Sequence, residues 1–131
     1  MISNKLKKLF YLSVALIYLH ALEEVLTGFP SSDSFMTLGG KVFGTTPGIF
    51  YWILHTVWLL GIPLTFILAR KSILLLGLMM LFGVVFIFEF HHLIKALLRA
   101  DYYPGMITAF LYPMVGIFYW KQLLADWRRV K

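Results

Sequence analysis

Cysteine is absent from this 131-residue sequence, so no disulfide can brace the fold, and any metal must be held by nitrogen and oxygen ligands rather than thiolate. Charge is scarce as well. Asp, Glu, Lys and Arg make up 14% of the residues, only six of them acidic, against 60% hydrophobic, which is too apolar for a soluble domain of this length and points to an integral membrane protein. There is no internal repeat and no low-complexity tract, so one membrane domain over 1–131 is expected. The net charge of +6 does not imply a nucleic-acid surface, because the basic residues sit between and outside the apolar runs, where they orient a chain in a bilayer. No A-x-A-like cleavage site follows the basic, apolar start MISNKLKKLFYLSVALIYLH, so that stretch is read as a retained first span.

What is present is four apolar segments, at about 9–26, 49–69, 73–94 and 106–124, each near the roughly 20 residues that a helix needs to cross hydrocarbon. The expectation is an all-α fold, a four-helix transmembrane bundle. Pro47 suits a helix start, while Pro63 and Pro113 fall inside spans and are expected to kink them. Orientation follows from the basic residues. With the N-terminus in the cytoplasm, Lys5, Lys7, Lys8, Arg70, Lys71, Lys121, Arg128, Arg129 and Lys131 lie inside, against Lys41, Lys95 and Arg99 outside. This bias places both termini on the cytoplasmic side of a multi-pass protein in the cell membrane. A tight RKS turn links the second and third spans, and the long external stretch GFPSSDSFMTLGGKVFGTTPG is a candidate lid. Trp52, Trp120 and Trp127 fit the interfacial belt, and Lys95 and Arg99 fit external anchors that snorkel.

The ionisable residues inside these runs are few and costly to bury, so their placement carries the functional argument. A helix rises about 1.5 Å per residue, which sets His20 about 21 Å and Glu24 about 27 Å above the cytoplasmic start of the first span. The descending second span puts His55 about 10 Å below the outer face, and the rising third puts Glu89 at about 25 Å and His92 at about 30 Å. All fall in one outer layer. His20, Glu23 and Glu24 share a broad face through spacings of three and four, as do Glu89 and His92, whereas His91 is turned about 100° from His92. Imidazole and carboxylate together suit zinc, iron or manganese, and His20, Glu23, Glu24, His55, Glu89 and His92 offer enough ligands for one or two ions, with His91 set behind them. The same groups also suit a proton relay or polar bridges between helices. In DYYPGMIT, a turn with interfacial tyrosines explains the residues, although Tyr103 or Thr108 could instead hydrogen-bond substrate.

With HALEE at His20–Glu24, EFHH at Glu89–His92 and YPGMIT at 103–108, the chain resembles the bacterial membrane-protein family named for its H-x-x-E-E motif. That resemblance carries over His20, Glu23 and Glu24 as motif residues and implies no particular reaction. Two classes of function follow from the residues themselves. In one, a metal-dependent enzyme acts from the outer face on a lipophilic or lipid-like substrate drawn from membrane lipids, by hydrolysis or oxidation, with Glu23 or Glu24 as general base. In the other, the same cluster serves cation or proton transport or sensing. The inner halves of the spans offer little beyond Ser13, Tyr11 and Thr65 for a polar path, which favours an enzyme or metal-binding module over a transporter.

Overall fold

Ser3 opens the first helix as an N-cap, its Oγ accepting the Leu6 N–H at 3.1 Å, and the apolar run continues unbroken from Asn4 to Leu26. The computed structural model describes residues 2–69 and 72–130; Arg70 and Lys71 of the expected tight turn, and Lys131, lie outside the described residues. Helix α1 (Asn4–Leu26) is followed by the short α2 (Phe29–Ser32) and α3 (Ser34–Val42). Then come α4 (Pro47–Leu68), α5 (Ile73–Arg99), α6 (Met106–Ala109) and α7 (Leu111–Val130). No strand occurs among the described residues. At 23, 22 and 27 residues, α1, α4 and α5 are long and apolar enough to cross a membrane. Helix α7 is 20 residues long, but Lys121, Asp126, Arg128 and Arg129 give its last turns a polar character.

The prolines act through the carbonyls they leave without a donor. Pro63 has no N–H for the Leu59 carbonyl one turn back; α4 widens there into a π-helical stretch, Val57–Gly61, and the Tyr18 hydroxyl of α1 donates to Leu59 O at 3.0 Å. Pro113 likewise lacks a donor for Ala109, and the break between α6 and α7 falls at Phe110. Pro47 takes the first turn of α4, capped by Thr46, whose side chain accepts from Ile49 N–H. The candidate lid is largely helical rather than irregular. Asp33 caps α3 by accepting from the N–H groups of Phe35 (2.8 Å) and Met36 (3.1 Å), and α3 packs on α4 with Gly39 pressed against the Phe50 ring.

Two cores result. One joins Leu6, Phe10, Leu76, Met79, Phe82, Tyr119 and Leu123 from α1, α5 and α7, with the rings of Phe10 and Phe66 stacked at 4.3 Å. The other joins Phe29, Met36, Phe50, Tyr51, Ala96 and Tyr103 beneath the α2–α3 cover. Outward faces are apolar too, as at Leu12, Leu19 and Leu22 on α1 and Val57, Leu60 and Ile67 on α4, a surface suited to hydrocarbon rather than water. The chain's two ends meet. Ser3 N–H donates to Asp126 Oδ2 at 2.8 Å and Gln122 donates to Ser3 Oγ at 3.2 Å. Burial opposes ionisation of Asp126, but the Ser3 and Gln122 donors outweigh it and hold the carboxyl below its usual range.

Candidate metal centre

His20 and Glu24, one turn apart on α1, face Glu89 and His92, one turn apart on α5, and the four side chains meet between the two cores. Their surroundings fix which atoms point inward. His92 Nδ1 lies 2.5 Å from the Pro104 carbonyl, which can only accept, so Nδ1 carries a proton and Nε2 is turned into the cluster. Thr108 does the same for His20. Its hydroxyl donates to Glu23 Oε2 at 2.5 Å and therefore accepts from His20 Nδ1 at 2.6 Å, leaving His20 Nε2 directed inward as well. A second hydrogen bond that orients the ring in this way accompanies most metal-ligating histidines.

Four potential ligand atoms thus converge. His20 Nε2 is 2.9 Å from Glu89 Oε2, 3.2 Å from His92 Nε2 and 3.6 Å from Glu24 Oε1. His92 Nε2 is 3.1 Å from Glu89 Oε2 and 3.2 Å from Glu24 Oε1. A tetrahedral ion with ligands at about 2.0–2.1 Å sets neighbouring donor atoms about 3.3 Å apart, and these five distances, 2.9–3.6 Å, lie around that value. Glu89 Oε2 is buried beside both imidazole Nε2 atoms. Carboxylates and imidazoles crowded this closely are stabilised by positive charge among them, as imidazolium protons or a metal ion, and two imidazoles with two carboxylates form a donor set for zinc, iron or manganese. The group can hold a metal ion.

The remaining candidates take other places. Glu23 points away from the cluster and accepts from the N–H groups of Ile107 (2.9 Å) and Thr108 (2.7 Å) and from the Tyr102 hydroxyl (2.8 Å), so it closes the start of α6 and holds Thr108. His55 meets the outer oxygen of Glu24, with Nε2 3.3 Å from Oε2 and Nδ1 3.0 Å from the Tyr51 carbonyl. His91 sets its ring 3.9 Å from that of His92 at a tilt of 46° and bonds the Phe88 carbonyl. Tyr103 is buried with its ring 5.7 Å from that of His92, but its hydroxyl turns from the cluster and, with the Lys95 ammonium, donates to Asp33. Burial alone would raise the Asp33 pKa, but Lys95, Tyr103 and the Met36 N–H hold its carboxyl below the usual range. The Tyr103 phenol is pushed up by burial and by the Asp33 carboxylate.

Sequence reasoning missed several participants. Tyr51 donates to Glu24 Oε2 at 2.9 Å and stacks on His55 at 3.8 Å; its place one turn before His55 was the available signal. Tyr112 sets its ring 5.2 Å from that of His20. Gly105, at φ +86°, lets the Pro104–Gly105 turn lie against the site, since a Cβ there would come within 2.7 Å of the His92 ring and 2.9 Å of the His20 ring. The cluster opens into a cavity of about 450 Å³ whose other walls include Ile17, Leu54, Trp58, Val85 and Phe88.

These features define a helical, membrane-suited protein with a buried histidine–glutamate cluster. The chain belongs to the HXXEE family, described as protein of unknown function with HXXEE motif, whose profile matches residues 11–119. No curated protein and no solved structure matches it.

Proposed function

We propose that this chain is a four-helix transmembrane protein with both termini cytoplasmic, and that it is a metal-dependent enzyme acting on a lipophilic substrate taken from the outer leaflet. The support comes from one juxtaposition: four convergent ligand atoms lie together, and three of the residues that carry them, His20, Glu24 and Glu89, line a cavity whose other walls are mostly apolar. A divalent ion there supplies Lewis acidity toward a carbonyl or phosphoryl oxygen and activates water. The protein's own part is positional. His20 and His92 are locked by Thr108 and Pro104, while Glu24 turns one oxygen to the cluster and the other to Tyr51 and His55. Of the two candidate bases, Glu24 faces the cavity, whereas Glu23 is saturated by donors.

Transport is disfavoured by what lies inward of the cluster. Phe10, Phe66, Phe82 and Met79 pack that side with apolar side chains. Elemental analysis of the detergent-purified protein after incubation with zinc, iron and manganese and extensive dialysis tests the metal. About one ion per chain is expected, lost in His20→Ala and Glu89→Gln; substoichiometric metal unaffected by either substitution refutes the reading. The retained ion then selects the chemistry to assay, zinc favouring hydrolysis and iron oxidation.

A further inference from the structure

Val84, Phe88, His91 and Lys95 recur along α5 at intervals of four, three and four residues and so form one stripe on a single face of that helix. All four line the cavity. The stripe spans eleven residues, about 16 Å, and its chemistry changes in order along that length. Val84 and Phe88 are exposed and apolar, His91 is amphipathic, and Lys95 is cationic. Arg99 extends the stripe by one more turn, over the Tyr103 ring at 4.8 Å, and has no carboxylate in ion-pair reach among the described residues. Lys95 donates to Asp33 and to the Tyr103 hydroxyl, and an ammonium has a third N–H. The mouth is rimmed by Val84, Phe88 and, from α3, Phe35, all exposed apolar side chains that suit an opening onto acyl chains rather than water.

We propose that this cavity binds an anionic single-chain amphiphile, with its tail along Val84 and Phe88 and its carboxylate or phosphate head at Lys95 and Arg99. The inference rests on the reading of the cavity as the substrate site and adds the substrate class to it. The volume of about 450 Å³ is that of a small-molecule site, suited to one chain rather than a two-tailed bilayer lipid. His92 and Glu89 lie three and six residues before Lys95, about 5 and 9 Å inward along the helix. The part of the ligand presented to the cluster is therefore the segment just below its charged head.

Binding to the purified protein in phosphatidylcholine nanodiscs, measured by titration calorimetry with oleate, 1-oleoyl lysophosphatidate, oleylamine and oleyl alcohol, tests this. Oleate, lysophosphatidate or both should bind at least tenfold more tightly than the amine and the alcohol, and whichever binds identifies the head. Arg99→Gln, an exposed change, should weaken the anion about tenfold while leaving the alcohol unchanged. Val84→Trp, which obstructs the apolar stretch along which the tail lies, should weaken oleate more than octanoate. Equal binding of amine and anion, or an anion affinity indifferent to both substitutions, overturns the proposal. Metal content is measured on the same samples. Stoichiometric metal without anion selectivity overturns this inference alone, and anion binding without metal overturns the metal reading alone.

Discussion

At the residue scale, the site depends on side chains that never face the cluster. Thr108 joins Glu23 to His20 Nδ1, so Thr108→Val should free the His20 ring and weaken metal binding about 10–100-fold, while Thr108→Ser, which keeps the hydroxyl, should restore it. Competition with a chelator of known affinity measures the change; equal affinities for Val and Ser variants would show that the hydroxyl does not orient His20. Gly105→Ala places a methyl against both imidazoles at a positive φ, which should cost about 1–3 kcal/mol of stability and metal occupancy as well, read by thermal unfolding with and without metal. Helical spacing and depth made His20, Glu24, Glu89 and His92 legible as one layer. The roles of Glu23 and Thr108 were not legible, because the Glu23 and Glu24 side chains diverge by about 100° and only the docked start of α6 decides which one faces inward. The Pro104 carbonyl has no signature in sequence at all.

At the element scale, Asp33 is where the α2–α3 cover is tied down, since it caps α3 with one oxygen and with the other takes Lys95, near the end of α5, and Tyr103, in the turn after it. Tyr103→Phe removes one donor to this buried carboxylate and should destabilise the protein by about 2 kcal/mol. The Asp33 carboxyl is held below its unfolded value, so its contribution is complete above about pH 4 and is lost as pH falls through the folded value. The difference in Tm between the wild type and Asp33→Asn should therefore be largest near neutrality and close on acidification below pH 4. A gap that stays constant to pH 2 would remove the carboxylate from the account. The long apolar helices were legible from hydrophobic run length, whereas α3 was not. Its buried face is made of Met36, Gly39 and Gly40, and two glycines packed against Phe50 and the 45–47 backbone read in sequence as a loop.

At the scale of the whole molecule, the ends of the chain bear on topology together. The hydrogen bonds of Ser3 with Asp126 and Gln122 hold the start of α1 beside the end of α7, which supports the proposed topology with both ends on one side. Lys5, Lys7, Lys8, Lys121, Arg128 and Arg129 gather at that end, while Lys41, Lys95 and Arg99 lie toward the other, where the α2–α3 cover sits over the cluster. By the preference of basic residues for the cytoplasmic side, the proposed orientation puts the first group there. The chain has no native cysteine, so single cysteines report without background. In intact cells, a membrane-impermeant maleimide should label Ser34→Cys on the exposed start of α3, and should reach Asn4→Cys only after lysis. Labelling of Asn4→Cys but not Ser34→Cys would invert the orientation and turn the cavity toward the inner leaflet. Labelling of both in intact cells would mean that α1 does not cross the membrane, and the outer-leaflet origin of the substrate would fall with it.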